Sequence, residues 1–324
     1  MKPKVLALRK LPEEARAIIS DQCELREVED GESLARENLE ALIGDVHGLL
    51  QSGLQIDDEL LDKAPMLKVV SNVSVGYNNF DLEAMRRRGI IGTHTPYVLD
   101  DTVADLAIAL MLAAARRIPE LDRKVKEGRW SKDEPASADF GMDVHHATLG
   151  IVGLGRIGEA VAKRAALGFD MNILYYNRRR KQEVEERYGA KYRTLEQLLQ
   201  ESDFVVVLAP LTNETKRMFR REQFQLMKPS AIFINVSRGQ LVDEEALVEA
   251  LELGWIRAAG LDVYAEEPVS PSHPLLRLPQ VVTLPHIGSA TARTRHKMHE
   301  SAARSLVAAL TGHGEAHIVP ELRS

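Results

Sequence analysis

The stretch T-L-G-I-V-G-L-G-R-I-G-E-A-V-A-K-R-A, residues 148–165, decides the fold. An apolar run, Leu149 to Val152, passes into Gly153, Gly155 and Gly158 in G-x-G-x-x-G spacing and then into an amphipathic segment. Strand, glycine-rich turn and helix in that order predict a dinucleotide-binding βα unit. Gly153 permits the tight turn, Gly155 lets a pyrophosphate approach the backbone at the helix N-terminus, and Gly158 lets helix and strand pack closely. Arg156 and Ile157, between the second and third glycines, are counted with them as cofactor-binding residues.

In an NAD site the following strand usually ends in Asp or Glu, which accepts hydrogen bonds from the adenine ribose. Here the run I-L-Y-Y, residues 173–176, ends in Asn177, with Arg178, Arg179 and Arg180 behind it. A carboxylate that would repel a 2′-phosphate is absent, and guanidinium groups that pair with one are present. Asn177, Arg178 and Arg179 are therefore taken as cofactor-binding and the cofactor as NADP(H), with Arg180 left as a solvated cation. Asp170 precedes the strand and does not restore an NAD reading.

Outward from this unit, apolar runs recur at Phe204 to Leu208, Ile232 to Val236, Ala258 to Val263 and Val281 to Leu284. Continuous apolar strands of this kind suit a parallel sheet covered on both faces. Toward the N-terminus, Val5 to Leu8, His47 to Leu50, Leu67 to Val70 and Ile90 to Ile91 read as four further strands in βα repeats. Thr102 with Asp105 resembles a capping box ahead of an apolar helix running to about Arg117, whereas residues 132–143 lack periodicity and read as loop. Ala290 to Leu310 is a charged, alanine-rich helix. The class is α/β with two open-sheet domains: a flavodoxin-like substrate domain over 1–98, a Rossmann cofactor domain over 99–287, and a C-terminal helix over 288–324 returning to the first.

The 324 residues suit two domains, and 44% apolar with 28% charged residues matches ordinary globular composition. Forty-two Lys and Arg against 48 Asp and Glu give a net charge of −6, which disfavours nucleic-acid or anionic-lipid partners. Cys23 is the only cysteine, so an intrachain disulfide and a cysteine-based metal site are excluded, and a cytoplasmic setting is expected. The four-residue apolar run near the N-terminus is too short for a secretory signal. The longest run, Leu106 to Ala115, is half a bilayer span, so no membrane partner is expected.

Ligands of open α/β sheets bind beyond the carboxyl ends of the strands. Three such ends deliver Arg238 after A-I-F-I-N-V, Glu267 after A-A-G-L-D-V, and His286 after V-V-T-L. Beside a nicotinamide fingerprint, these are the groups that reduction of a 2-oxo acid requires. One cation holds the carboxylate, one acid protonates the carbonyl oxygen, and one carboxylate orients the acid.

The chain resembles the D-isomer-specific 2-hydroxyacid dehydrogenases through S-V-G-Y-N-N-F-D (74–81), T-V-A-D (102–105), G-L-G-R-I-G (153–158), N-V-S-R-G (235–239), G-L-D-V-Y-A-E-E-P (260–268) and P-H-I-G-S-A-T (285–291). It resembles most those members that reduce glyoxylate, hydroxypyruvate and 2-ketogluconate. The resemblance implies NADPH-dependent reduction of such 2-oxo acids to D-2-hydroxy acids, with Arg238 as substrate ligand, His286 as proton donor and Glu267 as its hydrogen-bonded partner. It implies that backbone N–H groups at Val75 and Gly76 bind the substrate carboxylate and that Ser289 lines the pocket. Thr102 and Asp262 would lie near the nicotinamide; Pro210, Thr215, Val236 and His286 would border the cofactor. It also implies catalysis in an interdomain cleft and a homodimer joined through the cofactor domains.

Where related reductases carry an aromatic residue, often tryptophan, that reaches the neighbouring subunit, this chain has Asp139 and Phe140. Two rival readings share the motifs. A phosphoglycerate-type dehydrogenase commonly carries a C-terminal regulatory domain, for which the chain ends too soon; a corepressor-like nucleotide sensor would bind cofactor without turnover. His296 with His299 and the pair His145-His146 read as surface histidines, and no metal site is expected.

Overall fold

The structure is a computed structural model that describes residues 2–29 and 36–323. The chain divides into two units, one formed by residues 1–99 with 290–324 and the other by 100–289.

The first unit is built on short parallel strands: β1 (Lys4–Ala7), β2 (Glu24–Glu27), β3 (Gly48–Gln51), β4 (Val69–Asn72) and β5 (Ile91–Thr93). Among the described residues they lie in the order β2-β1-β3-β4-β5. Four helices connect them in the right-handed βα manner expected of parallel neighbours: α1 (Glu13–Gln22), α2 (Arg36–Ile43), α3 (Asp58–Asp62) and α4 (Leu82–Arg87). Leu6, Leu49 and Val70 on the strands share one core with Leu39, Ile43, Leu60 and Met85 on the helices. The Ala292–Thr311 helix belongs to this unit, and its Ala302 carbonyl accepts from Ser71 Oγ at 3.0 Å.

Two differences from the sequence reading have physical causes. Among its described residues the first unit has five strands where the sequence shows four apolar runs, because β2 has the sequence E-L-R-E and lies at the sheet edge, defined by main-chain pairing with β1. No apolar run marks such a strand. β3, β4 and β5 also continue past their apolar runs into Gln51, Ser71, Asn72 and Thr93, all buried.

The second unit begins with α5 (Asp100–Ala115) and α6 (Ile118–Lys126). Thr102 therefore sits inside the first turn of α5 and not ahead of it as a cap. Arg117, at a φ of 54°, ends the helical run in the left-handed region. The segment read as loop contains one 3₁₀ turn, Ala136–Asp139.

Then follow β6 (Thr148–Val152), α7 (Arg156–Phe169), β7 (Asn172–Tyr176), α8 (Gln182–Tyr188), β8 (Lys191–Tyr192), α9 (Leu195–Glu201), β9 (Phe204–Val207), α10 (Arg221–Leu226), β10 (Ile232–Asn235), α11 (Glu244–Glu252), β11 (Ala258–Leu261) and β12 (Val281–Thr283). All neighbours pair parallel in the order β12-β11-β10-β9-β6-β7-β8. The two-residue β8 escaped the sequence reading because it is too short to show a pattern. Strand order reverses at β6, between β7 and β9, which places the ligand crevice of a doubly wound sheet at the end of β6.

Candidate active site

The glycine turn occupies that switch point. Gly153 has a φ of 102°, and a Cβ there would stand 2.5 Å from the Ala209 nitrogen, so both conformation and space demand glycine. A Cβ on Gly158 would stand 2.7 Å from the Gly153 carbonyl oxygen. Gly155 differs, since a Cβ on it would meet nothing within 4 Å. It caps α7 without a side chain, leaving open space before the positive end of a 14-residue helix dipole, a ready site for a pyrophosphate.

Asn177 holds this turn in place. Its Oδ1 accepts from the Leu154 N–H at 2.7 Å and its Nδ2 donates to the Leu154 carbonyl at 3.1 Å. The position that carries the ribose carboxylate of an NAD site is here spent on the loop itself. Arg178 and Arg179 are exposed and, among the described residues, have no hydrogen-bond or ion-pair partner, while Arg180 is bound to Glu185 at 2.6 Å. These residues fit a nicotinamide dinucleotide.

The remaining expected cofactor residues take varied positions. Arg156 pairs through Nε with Asp100 at 3.0 Å, and Ile157 is partly buried in the first turn of α7. Thr215 Oγ1 donates to the Pro210 carbonyl at 2.7 Å and accepts from the Thr212 N–H at 2.8 Å, closing the loop after β9. Val236 is buried at the end of β10, and Thr102 and Ser289 are half-buried.

Arg238, Glu267 and His286 are drawn together by backbone chemistry. Asn235 at the end of β10 accepts from the Ser237 N–H at 3.1 Å and donates to the Arg238 carbonyl at 3.0 Å, and Arg238 Nη1 donates to the Ser237 carbonyl at 2.7 Å. Gly239 then passes so close to the next loop that a Cβ would fall 1.8 Å from the Tyr264 carbonyl carbon. The loops carrying Arg238 and Glu267 are thereby pressed together. Burial pushes the Arg238 guanidinium below its usual range, and the Glu267 charge opposes that shift.

Glu267 accepts from the Tyr264 N–H at 3.0 Å through Oε1 and meets His286 Nδ1 at 2.7 Å through Oε2. Burial alone would raise this carboxyl, but the bonds from His286 and Tyr264 and the positive charges of His286 and Arg238 outweigh it and hold it below the usual range. An ionised Glu267 only accepts, so Nδ1 is the donor and Nε2 points the other face of the ring outward.

His286 itself has a φ of 53°. Asp262, almost wholly buried, accepts from the N–H groups of Ile287 and Gly288 at 2.7 and 2.8 Å and so locks the turn that holds the ring. Burial is the main cause of the raised Asp262 carboxyl; the two N–H bonds oppose it.

Val75 and Gly76 lie in the first unit, in the turn after β4, with the Gly76 carbonyl accepting from Asn72 Nδ2 at 2.7 Å. The sequence reading assigns no role to Asn72, Asn235 or Gly239, although the asparagine and glycine of N-V-S-R-G flank Arg238 in plain view. The discarded histidines are accounted for: His296 binds Glu14 at 3.0 Å, His299 Nδ1 donates to the Arg295 carbonyl at 2.8 Å, and His145 packs edge-on to His146. Among the described residues no group of three metal-ligating side chains exists. No helix there is long and apolar enough to cross a membrane. Asp139 pairs with Lys124 at 2.8 Å, and Phe140 is 64% exposed.

A doubly wound sheet with a glycine turn at its switch point and a histidine–glutamate pair in the loops after β11 and β12 defines a dinucleotide-binding oxidoreductase. Comparison with known proteins narrows the class. Residues 108–288 match the family model described as D-isomer specific 2-hydroxyacid dehydrogenase, NAD binding domain. The chain is 47% identical over 319 residues to glyoxylate/hydroxypyruvate reductase B of Escherichia fergusonii, covering 98% of each, and 48% identical over 322 residues to that of Erwinia tasmaniensis, covering 98% of this chain and 99% of the relative. Among solved structures it is similar to the NADPH-dependent glyoxylate/hydroxypyruvate reductase of Sinorhizobium meliloti in complex with NADP and malonate, with a TM-score of 0.88, 33% identity and coverage of 99% and 98% of the two chains. The chain belongs to the D-isomer-specific 2-hydroxyacid dehydrogenase family.

Proposed function

We propose that this oxidoreductase uses NADPH to reduce glyoxylate, hydroxypyruvate and 2-ketogluconate to D-2-hydroxy acids. The observation that carries the reading is the 2.7 Å contact between His286 Nδ1 and Glu267, which leaves Nε2 as the proton-delivering atom, with the half-buried Arg238 close enough to Glu267 for their charges to interact. The names of the bacterial relatives support the substrate class. Arg178 and Arg179, unpartnered among the described residues, support the 2′-phosphate.

When bound, the reduced nicotinamide supplies the hydride that adds to the carbonyl carbon. Arg238 binds the substrate carboxylate and carbonyl oxygen, and its charge stabilises the oxygen as negative charge develops there. His286 delivers a proton from Nε2 to that oxygen, giving the hydroxyl, while Glu267 keeps the ring in the required tautomer and stabilises its charged form. Backbone N–H groups of Val75 and Gly76 add donors for the carboxylate, and Ser289 lines the substrate site. Asn177 keeps the glycine turn shaped for the pyrophosphate, and Thr102, Pro210, Thr215, Val236 and Asp262 complete the cofactor surroundings.

A homodimer through the second unit is supported by its exposed apolar side chains, Ile118, Val125, Trp130, Phe140 and Leu167. The proposed setting is the cytoplasm, whose reducing poise suits the free, buried Cys23.

Initial rates of NADPH and NADH oxidation with glyoxylate, hydroxypyruvate, 2-ketogluconate and 3-phosphohydroxypyruvate test the reading. Rapid NADPH oxidation with the unphosphorylated acids is expected. Preference for the phosphorylated acid would point to a phosphoglycerate-type enzyme. Tight NADPH binding without turnover would point to a sensor.

A further inference from the structure

The turn after β4 contains three successive carbonyl groups, each held by a hydrogen bond within the first unit. The Ser74 carbonyl accepts from the Thr95 N–H at 2.9 Å. The Val75 carbonyl lies 2.9 Å from His94 Nδ1, which must be the donor because a carbonyl oxygen only accepts. The Gly76 carbonyl accepts from Asn72 Nδ2 at 2.7 Å.

These peptide bonds are trans, so the carbonyl of one residue and the N–H of the next point in opposite directions. Fixing each carbonyl therefore fixes the direction of the N–H across its peptide bond, at Val75, Gly76 and Tyr77 in turn. Among the described residues, none of these three N–H groups has an acceptor. Successive unspent N–H groups of this kind form an anion-binding concavity.

The pins are themselves braced. Asn72, 1% exposed, accepts from Gln51 Nε2 at 2.8 Å through Oδ1. Gln51 Oε1 in turn accepts from the Leu54 N–H at 2.8 Å. Asn79 closes the ring by donating to the Leu54 carbonyl at 2.7 Å and accepting from Asn72 at 3.2 Å. His94 is set by edge-on packing against Tyr77, with ring centroids 5.4 Å apart. Buried amides so completely satisfied specify one arrangement of the turn.

We infer that His94 and Asn72 are positioning residues for substrate: by tying the Val75 and Gly76 carbonyls they orient the N–H groups of Gly76 and Tyr77, which join that of Val75 as the receptor for the 2-oxo acid carboxylate. The inference deepens the proposed function and rests on it. It assigns no chemistry to either side chain. Binding of a carboxylate by these amides is the same in ground and transition states, so its loss raises KM and leaves kcat nearly unchanged.

The test compares wild type with His94→Phe, which keeps an aromatic ring beside Tyr77 without the donor, and His94→Asn, whose amide nitrogen takes the place of Nδ1. Asn72→Asp keeps shape and the bond from Gln51 but cannot donate to Gly76. Measured quantities are KM and kcat for glyoxylate, binding of oxalate as a carboxylate probe, NADPH affinity and Tm. His94→Phe and Asn72→Asp are expected to raise KM and weaken oxalate binding by roughly tenfold, with kcat and NADPH affinity within about twofold. His94→Asn is expected to recover most of the loss. Unchanged KM and oxalate binding in His94→Phe would overturn the inference, as would a parallel fall in Tm and NADPH affinity that His94→Asn fails to correct. A wild type that neither turns over 2-oxo acids nor binds oxalate would remove the proposed function and this inference together. Normal wild-type turnover with insensitive variants removes the inference alone.

Discussion

The two units present different chemistry at the carboxyl ends of their sheets. In the second unit the loops after β10, β11 and β12 carry charged side chains: Arg238, Glu267 and His286. In the first unit the turn after β4 offers backbone N–H groups, with polar side chains turned inward to hold it. Charged side chains can be recognised from residue type alone, whereas a backbone receptor is made by whatever holds the carbonyls and has no signature of its own. In the proposed reaction the charged edge would supply proton and charge, and the backbone edge would supply orientation. The two should therefore respond differently to mutation.

Removing a side chain from the second unit's edge should strike turnover hardest. His286→Ala is expected to lower kcat by roughly 10²–10⁴-fold with NADPH affinity unchanged, read by steady-state rates and fluorescence titration. Arg238→Ala should both raise KM and lower kcat, because that cation serves binding and charge stabilisation. A His286→Ala enzyme with wild-type kcat would erase the contrast between the two edges.

Glu267→Gln tests the partner. It should reduce kcat by about tenfold to a hundredfold, less than loss of the histidine, since the amide can still accept from Nδ1 but no longer supplies charge. It also has a pH signature. The folded carboxyl lies below its unfolded value, so its contribution to stability is complete above the unfolded value of about 4.3 and is lost as pH falls through the folded one. The Tm difference between wild type and Glu267→Gln should accordingly narrow below about pH 4.5. A constant difference down to pH 3 would mean that the carboxylate's charge does not matter.

Cofactor preference should move less and only in one direction. Arg178→Ala with Arg179→Ala should weaken NADPH binding by about tenfold and leave NADH binding unchanged, closing the gap between the two. The smallest effect belongs to Arg180→Ala, within about twofold for either cofactor, because Glu185 already occupies that guanidinium. A large loss of NADPH affinity there would shift the phosphate contact along the arginine run.

Much of the second unit was legible in the sequence for a simple reason. Its central strands β9 and β10 are buried along their whole length and almost wholly apolar, and its glycines are forced by sterics at Gly153 and Gly158. The first unit was harder to read. β2 has no apolar run, β4 ends in buried Ser71 and Asn72, and polar residues in a strand look like loop until their partners are known. Thr102 showed the limit of local capping signals, since Ser, Thr and Asp near a helix start fit several registers and packing selects one.

Asn177 illustrates the boundary most sharply. Its identity excludes the ribose carboxylate of an NAD site, but only the folded loop shows its amide gripping Leu154 from both sides. The sequence by itself determined the α/β class, the dinucleotide turn and which titratable groups stand at the strand ends, because apolar periodicity and residue chemistry are local. Tertiary structure decided which polar groups spend their hydrogen bonds on the backbone and which remain free for a ligand. Gly239 against Tyr264, Asp262 beneath the turn of His286 and Gln51 against Asn72 all join residues through hydrogen-bond or van der Waals contact, and such contacts exist only once the strands that carry them lie side by side.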